Sequence, residues 1–75
     1  MRIIFKDQHR YYALLEDDAR GLVLQVGVGR VLRATMRLVL SREERERYEA
    51  EGKGFLDDLA KRVAADPDAF RERAF

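Results

Sequence analysis

The sequence predicts an α+β domain of two layers: an antiparallel meander of three or four strands, followed by a long C-terminal helix packed on one face. Two observations carry this expectation. Up to Leu40 the chain alternates β-branched, aromatic and polar residues in short runs; after Ser41 it turns to Glu, Arg, Ala and Leu at helical spacing. The connections between runs are short, which favours sequential antiparallel pairing. A chain of 75 residues can build one small core and no second domain. Residues 1–75 are therefore read as one unit, with strands over about 2–40, a helix over about 42–65 and a short helical turn over about 67–73.

Taken in order, residues 3–6 and 10–16 are strand-like. Asp7, Gln8 and His9 between them suit either a hairpin loop or a bulge within one long strand, and both readings stay open. The stretch from Glu16 to Gly21 is a firmer turn, because acidic residues favour turn starts and Gly21 supplies a positive φ. In the next run Leu22, Leu24, Val26 and Val28 share one face, and Val23, Gln25 and Gly27 share the other. A second turn is expected near Gly29 and Arg30. The last run has the cleanest alternation, with Leu32, Ala34, Met36, Leu38 and Leu40 against Val31, Arg33, Thr35, Arg37 and Val39.

Ser41 and Glu44 have the spacing of a capping box, so the helix should begin at Arg42. Its first turns are charged nearly all round, with Tyr48 as the one residue that looks buried. From Phe55 the stripe Phe55, Leu56, Leu59 and Val63 continues the phase of Tyr48. Gly52 and Gly54 interrupt the middle, but the unbroken phase favours one long helix, bent or weakened there. Asp66 and Pro67 end it and can start a final turn. Phe70 and Phe75 would fold the tail back. The expected sheet–helix core is Leu24, Val26, Met36, Leu38, Leu56 and Leu59.

Composition then narrows the function classes. Hydrophobic residues make up 47% and charged residues 39%, a mixture that folds. The net charge of +1 provides no global field toward nucleic acid or an anionic membrane. With no cysteine there is no disulfide, thiol nucleophile or Cys-based zinc site. The apolar run 22–28 contains Gln25 and is far shorter than the roughly 20 residues of a membrane span. No membrane association is expected, and a cytoplasmic location is.

Candidate catalytic groups are sparse. His9 is the single histidine and has no ligand or base at motif spacing. Ser41 is committed to capping, and Gly27-Val28-Gly29 lacks the third glycine and following helix of a dinucleotide loop. The helical carboxylates interleave with arginines, as on a solvated, ion-paired face. The expectation is a protein with no catalytic residues, no cofactor and no metal.

The more informative feature is the sheet face away from the helix. Arg33 and Arg37 project there among Val23, Val31 and Val39. A single helix leaves that face uncovered, and a helix from 42 to 65, about 36 Å long, overhangs seven-residue strands of about 23 Å. Both point to a homodimer of a small bacterial-type interaction module that also binds a protein partner. The candidate interface is Val23, Val31, Arg33, Arg37, Val39 and Tyr48. The alternative is a small nucleic-acid-binding regulator that uses Arg30, Arg33, Arg37 and a tyrosine on the same open face.

Overall fold

The computed structural model describes residues 1–28 and 34–75. Four strands, β1 (Arg2–Asp7), β2 (Tyr12–Asp17), β3 (Gly21–Val28) and β4 (Ala34–Val39), form an antiparallel sheet in the order β1-β2-β3-β4. Two helices follow, α1 (Arg42–Glu51) and α2 (Lys53–Ala65), and then a 3₁₀ segment, Pro67–Arg73. The meander and the α+β class are as the sequence predicts. The turn expected near Gly29 and Arg30, and Val31 and Arg33 of the candidate interface, lie outside the described residues.

Of the two readings of residues 2–16, the hairpin is the one formed, and the bulge that does occur lies elsewhere, within β1. β1 and β2 form a hairpin, and a bulge interrupts its ladder where the register passes from Ile3 opposite Leu15 to Phe5 opposite Leu14. Local acceptors close the turns. The Asp7 carboxylate takes the amides of His9 and Arg10 at 3.0 and 3.1 Å, and the Asp17 carboxylate takes those of Ala19 and Arg20 at 2.8 and 3.2 Å. These amides hold the Asp17 carboxyl below the usual carboxylate range, the Ala19 bond contributing most. Tyr11 closes the first turn in the left-handed region at φ 55°, and its carbonyl accepts the Gly27 amide at 2.7 Å.

One face of the sheet meets α2. Leu14, Leu24, Val26, Met36, Leu38 and Leu40 pack there with Phe55, Leu56, Leu59, Ala60 and Val63, all buried. The six core residues expected from the sequence all belong to this cluster. Fully burying such aliphatic side chains contributes about 1.5–3 kcal/mol each, so this layer dominates stability.

The expected single helix over 42–65 is corrected to two. Gly52 takes φ 75° and ψ −152°, a conformation open essentially to glycine alone, and its amide closes α1 on the Tyr48 carbonyl at 2.7 Å. The break also removes the overhang: α2, with 13 residues, is about 20 Å long, which matches the strands beneath it. α1 starts at the expected capping box. The Glu44 amide donates to the Ser41 hydroxyl at 3.1 Å, and the Glu44 carboxylate accepts the Ser41 amide at 2.8 Å. α1 buries no residue of its own; half-buried Tyr48 packs on the core, and Arg47 lies over the Phe55 ring at 4.9 Å.

The tail completes the far edge of the sheet. Ala74 bridges to Leu38, and the Phe75 amide donates to the Arg37 carbonyl at 3.1 Å. Arg73 clamps Glu44 through both terminal guanidinium nitrogens, at 2.6 and 3.2 Å, and donates to the Val39 carbonyl at 3.1 Å. Burial pushes the Glu44 carboxyl up, but the Arg73 and Ser41 bonds outweigh it and the net shift is downward.

Candidate interaction surface

Two polar or exposed regions stand apart from the core: an ion cluster where the first hairpin meets α2, and the sheet face opposite the helices. The cluster is centred on Asp7, the one buried charged residue among those described. Besides its two turn amides it accepts from Lys53 at 2.7 Å and from Arg10 at 3.4 Å. Lys53 also donates to Asp57 at 2.9 Å, and Asp57 accepts the Tyr12 hydroxyl at 2.5 Å. Residues 7 and 53 were not linked by any sequence motif, because 46 positions separate them.

The electrostatics of this cluster run opposite to those of an acid–base site. The Lys53 ammonium draws the Asp7 carboxyl down from the usual 3.8 to about 2. The Asp7 carboxylate in turn holds the Lys53 ammonium well above the ordinary lysine range. The Tyr12 hydroxyl, and Lys53 after it, pull Asp57 down, while burial chiefly and the Asp57 carboxylate push Tyr12 up to about 12. The shifts of Asp7, Asp57, Lys53 and Tyr12 all run away from neutral pH, whereas general acid–base catalysis needs a group poised near the working pH. The cluster is a clamp between the Asp7–Tyr12 turn and the first turn of α2. A cleft of about 760 Å³ beside it is lined by His9, Arg10, Tyr11 and Lys61 together with the carboxylates Asp57 and Asp58. Among the described residues no three His, Asp or Glu side chains converge as metal ligands, and no helix is long and apolar enough to cross a membrane.

The opposite sheet face is organised in rows, because residues paired across antiparallel strands point to the same side. One row runs Ile3–Leu15–Val23–Val39 across all four strands. Ile4, the extra residue of the bulge between Ile3 and Phe5, has no partner in this ladder. The next row runs Lys6–Ala13–Gln25–Arg37. Ala13, Leu15 and Val23 form a second, smaller buried cluster on this side. Toward β4 that end of the face is spanned by Arg20, whose guanidinium sits 4.5 Å from the centre of the Phe75 ring. Toward β1 it is bare: Ile3 is 62% exposed and Ile4 42%.

The expected interface residues divide accordingly. Arg37 is exposed on the predicted face and donates through Nε to Gln25 at 2.9 Å. Val39 is half-buried beside it, and Val23 is fully buried within the single chain. Tyr48 lies on the helix side, against the main core. Tyr12 faces α2, within the main core. Ile3, Ile4 and Lys6 were missed; their signal was the run of two isoleucines, which strict alternation cannot bury on one side.

No protein-family model matches the chain, and no curated protein and no solved structure is similar to it.

Proposed function

We propose that the chain is a non-catalytic interaction module that binds a protein partner over the helix-free sheet face and the adjoining strand β1. The observation that carries this reading is the row Ile3–Leu15–Val23–Val39, buried in its middle and bare where it reaches β1, with exposed Ile4 next to Ile3 in the bulge. Three of the five exposed large hydrophobic residues among those described, Met1, Ile3 and Ile4, cluster at this strand. Apolar side chains gathered at one edge mark a place where another molecule removes them from water. The ion cluster supports the non-catalytic half, since none of its shifted groups can exchange a proton near neutral pH.

Self-association is the narrower form of this reading. The overhanging helix that favoured it is gone with the break at Gly52. The nucleic-acid reading keeps one supporting observation: Lys6 and Arg37 share a row that carries no acid. Aliphatic residues next to that row suit a protein better than a stack of bases.

A photo-crosslinking side chain placed at Ile4, with Arg42 on α1 as the control site, tests the proposal in cells. The expected result is one discrete protein adduct from position 4 and none from position 42. Equal adducts from both sites, or none from either, would overturn it. An adduct of twice the chain mass would make the partner a second copy, and a nuclease-sensitive one would favour nucleic acid.

A further inference from the structure

Resting on the interaction-module reading and deepening it, we infer that Tyr11 anchors the partner on the helix-free face, and that the partner meets it with an acidic segment in which two carboxylates flank an aliphatic side chain. Among the described residues Tyr11 is the one residue other than glycine with a positive φ, 55°. Glycine or asparagine takes that conformation readily, whereas a bulky side chain takes it under strain. Tyr11 is nevertheless 55% exposed. Strained positions gather where a chain meets a ligand, and rigid aromatics are the side chains that carry most of an interface's affinity.

Gly27, on the neighbouring strand, makes room for it. The Gly27 amide donates to the Tyr11 carbonyl at 2.7 Å, and a Cβ at Gly27 would stand 3.3 Å from the Tyr11 Cβ and carbonyl oxygen. Alternation along β3 puts Leu24 and Val26 in the main core, so the Gly27 Cβ position belongs to the helix-free side. Tyr11 therefore abuts this side of β3, at the end of the sheet where the face meets the cleft beside α2.

The neighbouring row sets the charge of what docks there. It runs Lys6–Ala13–Gln25–Arg37, with exposed cations at its two ends. Among the described residues neither cation has an ion pair, and Arg37 donates to the neutral Gln25 side chain. The one strand acid that alternation puts on this side, Asp17, lies at the other end of β2 and is held by Arg20 at 3.3 Å. Three strand spacings, about 14 Å, separate β1 from β4, and an extended Glu-x-x-x-Glu segment spans about the same length. Its middle residue points to the same side as both acids and falls over Ala13 and Gln25. On one flank lies Tyr11, on the other the aliphatic row Ile3–Leu15–Val23–Val39. Two cations with no free acid between them select carboxylates, and the flanks select an aliphatic side chain.

The test uses the full chain, isotope-labelled, and the synthetic peptide acetyl-Thr-Glu-Ser-Leu-Ser-Glu-Thr-amide, followed by nuclear magnetic resonance. The expected result is saturable shift changes centred on Tyr11, Lys6 and Arg37, absent when the two glutamates are replaced by lysines. Tyr11→Asn, which suits the left-handed backbone, should weaken binding about tenfold or more while the urea midpoint stays equal or rises. Lys6→Glu and Arg37→Glu should each weaken it about five- to tenfold and flatten its salt dependence. Unchanged affinity in Tyr11→Asn, or equal binding of the lysine peptide, would overturn the inference. A lowered midpoint in Tyr11→Asn would make Tyr11 a folding residue and overturn its role as anchor. Shifts at the same residues on concentrating the chain alone would identify a second copy, and tighter binding of a thymidine oligonucleotide than of the peptide would identify nucleic acid; either contradicts an acidic protein segment. If peptide binding fails while the Ile4 adduct forms, the acidic segment falls and the interaction module stands; if both fail, both fall.

Discussion

At the scale of single residues, Asp7 couples two parts of the chain that the sequence gives no reason to connect. One carboxylate ends a strand, closes a turn through two amides and receives the first helical lysine after Gly52. Its carboxyl is held at about 2 in the folded chain against the usual 3.8. A folded-state value below the unfolded one means that ionised Asp7 stabilises the fold above about pH 4, and that this contribution is lost as the pH falls toward 2. The stability gap between the native chain and Asp7→Asn, read from urea unfolding at each pH, should be widest above pH 4 and close near pH 2. A gap that stayed constant across that range would show that the charge on Asp7 does not hold the turn to α2.

At the scale of elements, the chain is governed by which face each strand or helix buries and by where glycine permits a break. Leu59 is 1% exposed between α2 and the sheet, so Leu59→Ala should cost about 2–5 kcal/mol. Gly52→Ala tests a different cause. A Cβ there meets nothing within 4 Å, so any loss comes from the backbone, which an L side chain adopts at φ 75° only with strain of about 1–3 kcal/mol. Chemical denaturation of both variants checks the pair; a neutral Gly52→Ala would mean that the two helices merge at no cost. The same contrast explains what the sequence disclosed. Alternation placed Leu24, Val26, Met36 and Leu38 in the core, and the capping box located the start of α1, because both signals lie within a few residues of one another. The break at Gly52 was not legible, since the phase from Tyr48 to Phe55 continues across it and only the backbone angles distinguish a kink from a stop. The bulge between Ile3 and Phe5 was not legible for the same reason: it depends on register against Leu15, twelve residues from Ile3.

At the scale of the whole molecule, one layer of helix covers one face of a four-stranded sheet, and the other face is finished unevenly. Near β4 the tail adds its backbone to the edge, and Arg20 reaches Phe75. Near β1 two isoleucines stay in water, beside an edge strand with nothing on its outer side among the described residues. The candidate site was half legible: the cationic, valine-bearing face could be read from the alternation around Arg37, but its bare end could not. The interaction surface requires that Ile3 and Ile4 be kept for contact with another molecule and not for folding. The most direct measurement is therefore the unfolding free energy of the double variant Ile3→Thr, Ile4→Thr, which keeps the β-branched shape while removing apolar surface. The expected value lies within about 0.5 kcal/mol of the native chain, as for surface positions. A loss of more than about 2 kcal/mol, the size of a core deletion, would place both residues in the folding core and contradict the interaction surface built on them.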